Sequence, residues 1–273
     1  MPYFVQPDSQ IYYEWVPERR NRPIVVFIHG WGGSSRYWRS TAIALSEQFD
    51  CLLYDLKGFG LSELTTTETQ FTLSNYADEL VKLLHHLRIE RCHLISHSMG
   101  SSIGAFFLDQ YPQMVNRAIL TCAGVFEYNE RAFQIFSFFG RFVVQVRPRW
   151  LTQLPGMDRL VMQRFLHREI PQHDRQEFLE DYLLAEDAAA LGTVSDVVNE
   201  ANAIALPQAY KRFSMPVLMI SGQYDRIIPV ALAEPAAALN ERINLTVIPD
   251  VGHFPMLEDG ATFVKTIQDF LAA

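Results

Sequence analysis

Short apolar runs alternate with longer amphipathic stretches over most of the chain. Residues 24–28 (Ile-Val-Val-Phe-Ile), 51–54, 92–95, 118–122, 216–221 and 243–248 have strand length, and an earlier strand is expected over 11–16. The run at 24–28 is apolar throughout, as an interior strand covered on both faces must be. Between the runs the period changes. Tyr76, Leu80, Leu83, Leu84 and Leu87 recur at helical spacing and predict a helix over 73–87, with Ser74 and Asn75 placed to cap it. Further helices are expected over 35–46, over 99–111 with a stop at Pro112, from Pro229 to about 239, and over 260–271. Strands and helices joined by short turns predict an α/β class protein: a mostly parallel central sheet flanked by helices.

That rhythm breaks after Ala123. From 126 to 213 no comparable strand recurs, and helix-like pieces run over 157–166, 175–191 and 194–206. The first part of this region is aromatic, with Phe126, Tyr128, Phe133, Phe136, Phe138, Phe139, Phe142 and Trp150. The pattern reads as a helical lid at 125–213 inserted into a core made of 1–124 and 214–273.

Composition narrows the function classes. With 49% hydrophobic and 20% charged residues the 273-residue chain can bury a large core, and a net charge of −8 without a basic stripe argues against a nucleic-acid surface. Cys51, Cys92 and Cys122 each lie in an apolar, strand-like setting, so free buried thiols in a reducing, cytoplasmic compartment are expected. The first residues lack the basic-then-apolar pattern of a secretory leader. No apolar run approaches the roughly 18 residues of a spanning helix, so no integral membrane segment is expected.

The stretch Leu94-Ile95-Ser96-His97-Ser98-Met99-Gly100-Ser101-Ser102 reads as a strand end, a tight turn holding a serine, and the start of a helix of small residues. A serine hydroxyl attacks only when a base removes its proton and donors stabilise the charge that follows. In a parallel sheet such groups gather beyond the carboxyl ends of the strands, and Ser98, Asp225 and His253 each follow an expected strand. His253 can take the Ser98 proton, and Asp225 can fix the other ring nitrogen. The backbone amides of Met99, at the helix start, and of Trp31, in the glycine-rich loop at 29–34, are the candidate oxyanion donors.

In these pieces the chain resembles the alpha/beta-hydrolase superfamily, in its lid-bearing branch, over essentially its whole length. The resemblance rests on His29-Gly30-Trp31-Gly32-Gly33, Asp55-Leu56-Lys57-Gly58-Phe59-Gly60-Leu61-Ser62, Ser96-His97-Ser98-Met99-Gly100, Gly222-Gln223-Tyr224-Asp225 and Gly252-His253-Phe254. It implies Ser98 as nucleophile, His253 as base, Asp225 as its acid partner, and Trp31 and Met99 as oxyanion-hole amides. Ser96 replaces the first glycine of the usual elbow, and Lys57 stands where arginine is commoner. Some relatives carry the acid after the strand matching 118–122, which makes Glu127 the alternative. His97 is expected to pack or hydrogen-bond, His29 to support its loop and Asp55 to hold its own.

The implied activity is that of a serine hydrolase, a carboxylesterase cleaving a small to medium apolar ester through an acyl-enzyme. Trp31, Phe126, Phe133, Phe136, Phe139 and Phe254 are the candidate pocket wall. A second expectation keeps the same triad but cleaves a carbon–carbon bond in a diketone, or eliminates from a related carboxylated metabolite. A third is a catalytically silent binding protein on the same fold. The partner expected is a small-molecule substrate, with no cofactor and no metal. The glycines at 30–33 lack the lysine and hydroxyl pair of a phosphate loop, and adjacent His85 and His86 cannot share a helical face as ligands do. His167 and His173 are expected on a solvated surface.

Overall fold

Successive residues of each central strand point into opposite apolar layers. The structure, a computed structural model, describes residues 3–66, 70–145 and 147–272. Strands β1 (Tyr3–Val5), β2 (Ser9–Val16), β3 (Ile24–Ile28), β4 (Asp50–Tyr54), β5 (Glu63–Leu64), β6 (Cys92–His97), β7 (Val115–Thr121), β8 (Val217–Gly222) and β9 (Ile243–Ile248) form one sheet. Its order is β1-β2-β4-β3-β6-β7-β8-β9, with β5 paired to β2. From β4 to β9 all pairings are parallel, while β2 is antiparallel to β1, β4 and β5. Val26, Ile28, Leu52, Leu94, Leu120 and Met219 enter one layer, and Val25, Phe27, Leu53, Ile95, Ile119 and Ile220 the other. A strand buried on both faces has no polar side to show, hence the unbroken apolar runs.

Helices α1 (Arg39–Leu45), α2 (Leu73–His86) and α3 (Met99–Gln110) lie between the early strands, and α4 (Glu130–Gln145), α5 (Met157–Met162), α6 (Gln172–Leu184), α7 (Asp187–Val197) and α8 (Glu200–Arg212) between β7 and β8. α9 (Val230–Ala237), α10 (Pro255–Glu258) and α11 (Gly260–Ala272) follow β8 and β9. Leu80, Leu83, Ile103, Phe107, Leu206, Tyr210 and Ala233 bring α2, α3, α8 and α9 to one layer, and Leu45, Phe263 and Ile267 bring α1 and α11 to the other. Each fully buried Leu, Ile or Phe of these faces contributes about 1.5–3 kcal/mol over leaving it in water. None of the helices among the described residues is long and apolar enough to cross a membrane.

The region between β7 and β8 departs from the sequence expectation in its detail. α4 was not expected as a helix, and the single helix expected over 175–191 is broken between α6 and α7. Ala185 and Glu186 are extended there (ψ 135 and 134). The Arg147 guanidinium donates to the carbonyls of Tyr182 and Ala185, and the Glu186 N–H donates to Gly58 O at 2.8 Å, so tertiary partners replace the helical ladder. The single helix expected over 194–206 is divided between α7 and α8 at Val198 and Asn199, the latter capping α8, and α8 runs on through Pro207 to Arg212, because Leu206, Ala209 and Tyr210 pack into the layer with α3. β1 and β5 were not expected; both are very short and lie on the antiparallel side of the sheet.

The crossing of β6 into α3 fixes the centre of the molecule. A Cβ added at Gly100 would lie 2.3 Å from His29 O, so the first turn of α3 touches the loop after β3 backbone to backbone. Gly100→Ala is therefore expected to cost about 1–3 kcal/mol as the two segments part, read as a Tm several degrees lower by calorimetry. An unchanged Tm would show that the contact is loose.

Candidate active site

β6 delivers Ser98 into a turn at φ 55, ψ −123, and α3 starts at the next residue. This φ lies in the region that L side chains rarely occupy, so the turn is strained and the serine side chain is thrown clear of the strand. Ser96, in place of the first elbow glycine, is accommodated without exposure. Its hydroxyl meets Ser101 Oγ and Ile119 O, both at 3.2 Å, and Gly104 leaves the room beside it.

The structure brings Ser98, His253 and Asp225 together from three strand ends. Ser98 Oγ lies 3.0 Å from His253 Nε2, and His253 Nδ1 lies 2.8 Å from Asp225 Oδ2. A carboxylate accepts only, so the Nδ1 proton faces Asp225 and the neutral ring offers its Nε2 lone pair to the serine hydroxyl. Asp225 Oδ1 accepts from the N–H groups of Ile227 and Ile228 at 2.8 and 3.0 Å. Burial pushes the Asp225 carboxyl up, but the hydrogen bond and charge of His253 with these two amides outweigh it and leave it below the usual carboxylate value. The turns carrying acid and base touch directly: a Cβ at Gly222 would lie 1.9 Å from Gly252 O.

Two amides next to this group in the chain are unengaged: Met99 follows Ser98, and Trp31 follows Gly30, where an added Cβ would lie 3.1 Å from Ser98 Cβ. Met99 opens α3, where helix geometry offers its N–H no partner. Neither it nor the Trp31 N–H has an acceptor among the described residues. The Trp31 indole is anchored away from its own loop, its Nε1 donating to Ala190 O of α7 at 3.1 Å and its ring 5.9 Å from that of Tyr182 on α6. The same loop is tied to α6 by polar groups: Ser34 Oγ donates to Asp181 at 2.6 Å, and Arg36 pairs with Asp181 and Glu180. Burial raises the Asp181 carboxyl to about 6 against the pull of Arg36. His29 accepts from the Leu56 N–H at 2.9 Å, and Asp55 accepts from Ser35 and Leu61.

The remaining candidates separate. Both His253 ring nitrogens are engaged by Ser98 and Asp225, so the exposed Glu127 has no place on the ring. Phe254 is 2% exposed and packs edge-on against Tyr37 and Phe178, inside the core rather than on an open wall. Phe126 is half-buried after β7, and the side chains of Phe133, Phe136 and Phe139 lie outside the described residues. His97, Cys122 and His253 bring ligating atoms within 4.8 Å of one another. Burial keeps the Cys122 thiol protonated, and a metal there would have to break the ring hydrogen bonds of both histidines.

Tyr37, Glu258 and the carbonyl of Phe165 surround His253 without having been singled out in the sequence, whereas His97 was expected to pack or hydrogen-bond. Tyr37 is buried, and its hydroxyl accepts from the Gly30 N–H and reaches His97 Nδ1 at 3.0 Å. His97 Nε2 donates to the carbonyl of His253 at 2.7 Å. Burial holds His97 well below its ordinary pKa, so with Nε2 donating, Nδ1 is unprotonated and the tyrosine donates to it. Glu258 is 8% exposed and accepts from four main-chain N–H groups, those of Gly252 and Phe254 on either side of the base and of His167 and Arg168 in the segment between α5 and α6. Phe165 O, from the same segment, accepts from the His253 N–H at 2.7 Å. The exposed His167 stacks on Tyr224 at 4.0 Å. Glu258 serves the turn just before its own helix as well as the distant 167–168 amides, and neither it nor Tyr37 carries a motif that announces the role.

The family model described as the alpha/beta hydrolase fold matches residues 23–260. Among curated relatives, Rv2715, an uncharacterized protein of Mycobacterium tuberculosis, is 29% identical over 260 residues, covering 91% of this chain and 75% of its own length. The pimeloyl-acyl-carrier-protein methyl ester esterase of Aeromonas hydrophila is 24% identical over 256 residues, 91% of this chain and 95% of its own. Among solved structures, the esterase EaEST of Exiguobacterium antarcticum matches 97% of this chain and 96% of its own with a TM-score of 0.83 at 20% identity, a likeness of fold.

The neutral, buried His97 predicts a pH dependence. Its folded pKa lies well below the unfolded value near 6.5, so on acidification the unfolded chain takes up a proton that the folded one refuses. Stability from this group is present above pH 6.5 and is lost at about 1.4 kcal/mol per pH unit below it. His97→Gln should therefore lose about 2 kcal/mol less than the parent between pH 7 and 5, measured by urea unfolding at both pH values. Equal losses would mean that His97 titrates freely in the fold.

Proposed function

Since the chain belongs to the alpha/beta-hydrolase family and is a hydrolase of that family, we propose that it is a carboxylesterase that cleaves small to medium apolar esters through an acyl-enzyme. The observation that carries the reading is the continuous line from Ser98 Oγ through His253 to Asp225, with two unengaged amides beside it. Ser98 attacks the acyl carbonyl while His253 Nε2 takes its proton. Asp225 stabilises the imidazolium so formed. The carbonyl oxygen turns negative and is received by the N–H groups of Trp31 and Met99, the latter at the positive end of α3. His253 then protonates the departing alcohol, activates water against the ester of Ser98, and returns to its starting state as the acid leaves. The sequence of steps asks for no cofactor or metal.

Residues 125–213 act as the lid in this reading, with α6 and α7 seated on the loop that carries Trp31. The ester-cleaving relative from Aeromonas supports acyl chemistry over carbon–carbon cleavage.

A fluorophosphonate probe and short-chain p-nitrophenyl esters test the proposal. Ser98→Ala should abolish labelling and turnover, and His253→Ala should abolish labelling of an intact Ser98. Asp225→Asn should lower kcat on the order of 10⁴-fold with little change in fold. A folded protein that takes no label and cleaves no ester, yet splits a diketone, would overturn the esterase reading; one that does neither would point to a silent binding protein.

A further inference from the structure

Arginine is concentrated where acids are scarce. Residues 130–169 contain seven arginines against three acidic residues, Glu130, Asp158 and Glu169, in a chain whose net charge is −8. Arg147 is buried and holds the α6–α7 break. Arg131, Arg141 and Arg164 are exposed and, among the described residues, belong to no ion pair.

α4 sorts these charges onto a particular face. Arg131, Gln134, Phe138, Arg141, Phe142 and Gln145 are all exposed and recur at i, i+3, i+7, i+10, i+11 and i+14, one side of a helix. The other side is pressed to the protein: a Cβ at Gly140 would lie 2.5 Å from Val194 Cγ1 of α7, and Val144 is buried. On the outward face Phe138 is 69% and Phe142 57% exposed, and Trp150, in the turn that follows, 55%. Aromatic rings and arginines interleaved on one outward face match the boundary layer of a bilayer, where rings sit at headgroup depth and cations meet anionic lipid.

We propose that α4 and the turn after it dock on a bilayer containing anionic lipid. The acidic remainder of the chain is repelled by the same surface, which turns α4 toward it. A second copy of this chain is the poorer occupant, because two such faces related by a two-fold axis would set arginine against arginine. The docked face is close-coupled to the site. The Tyr182 hydroxyl donates to Val143 O of α4 at 2.9 Å, and its ring lies against Trp31. On the esterase reading, the substrate delivered there is an acyl ester dissolved in the lipid; the docking itself does not depend on that reading.

Co-sedimentation of full-length Ser98→Ala protein with phosphatidylcholine vesicles, with and without phosphatidylglycerol, tests the docking without turnover. Binding is expected only with phosphatidylglycerol, weakening as salt is raised. Phe138→Ser with Phe142→Ser, and separately Arg131→Glu with Arg141→Glu, should each lower the bound fraction by roughly tenfold or more, while the same changes in the Ser98 protein leave Tm and turnover of soluble esters unchanged. No sedimentation with either vesicle, equal sedimentation with both, or insensitivity to the α4 changes would overturn the proposal. So would a dimer seen by light scattering that the α4 changes dissolve without any vesicle binding. Because the binding is read on a protein that cannot turn over, its failure and a failure of the esterase reading are separate results.

Discussion

Every polar group of one residue is committed, and to a different part of the chain each time. His253 gives Nδ1 to Asp225 after β8 and Nε2 to Ser98 before α3, its N–H to Phe165 between α5 and α6, and its carbonyl to His97 at the end of β6. A loop residue held at four points has little freedom of ring orientation, and a hydroxyl 3.0 Å away requires that. The sheet brings these partners within reach, and the hydrogen bonds set the angle.

Around this residue the loops are organised by buried carboxylates satisfied by main-chain N–H groups. Asp225 accepts from Ile227 and Ile228, Asp55 from Ser35 and Leu61, and Glu258 from both neighbours of His253 and from the 165–168 segment. Such bonds are charge-assisted and directional, and they fix turns that have no ladder of their own. The neutral His97 complements them: between Tyr37 and His253 it passes position from the loop of Gly30 to His253 without adding a charge beside that ring.

The parallel sheet was legible because strands covered on both faces are apolar throughout, and Val25–Ile28 or Ala118–Leu120 have no polar side that could suggest anything else. Ser98, Asp225 and His253 were singled out because each follows an expected strand, and the structure sets them in one hydrogen-bonded line. The region between β7 and β8 was read less well. Its helices are cut where Arg147 and Gly58 capture main-chain groups of residues 182–186, and those partners lie 35 to 38 positions away or on the far side of the sheet's loops. Tyr37 and Glu258 were missed for the same reason, since neither carries a motif and their role comes from what folding lays beside them.

Trp31 bears on how freely this architecture can be recombined. It follows Gly30, where an added Cβ would lie 3.1 Å from Ser98 Cβ, while its indole is fastened to α7, and Ser34 and Arg36 a few residues on are fastened to α6. The helices between β7 and β8 are thus not an interchangeable cassette. A chimera that borrows them from another member of the family inherits a different anchorage for the amide at position 31, so the graft has to carry the 31–36 turn with it as one hereditary unit.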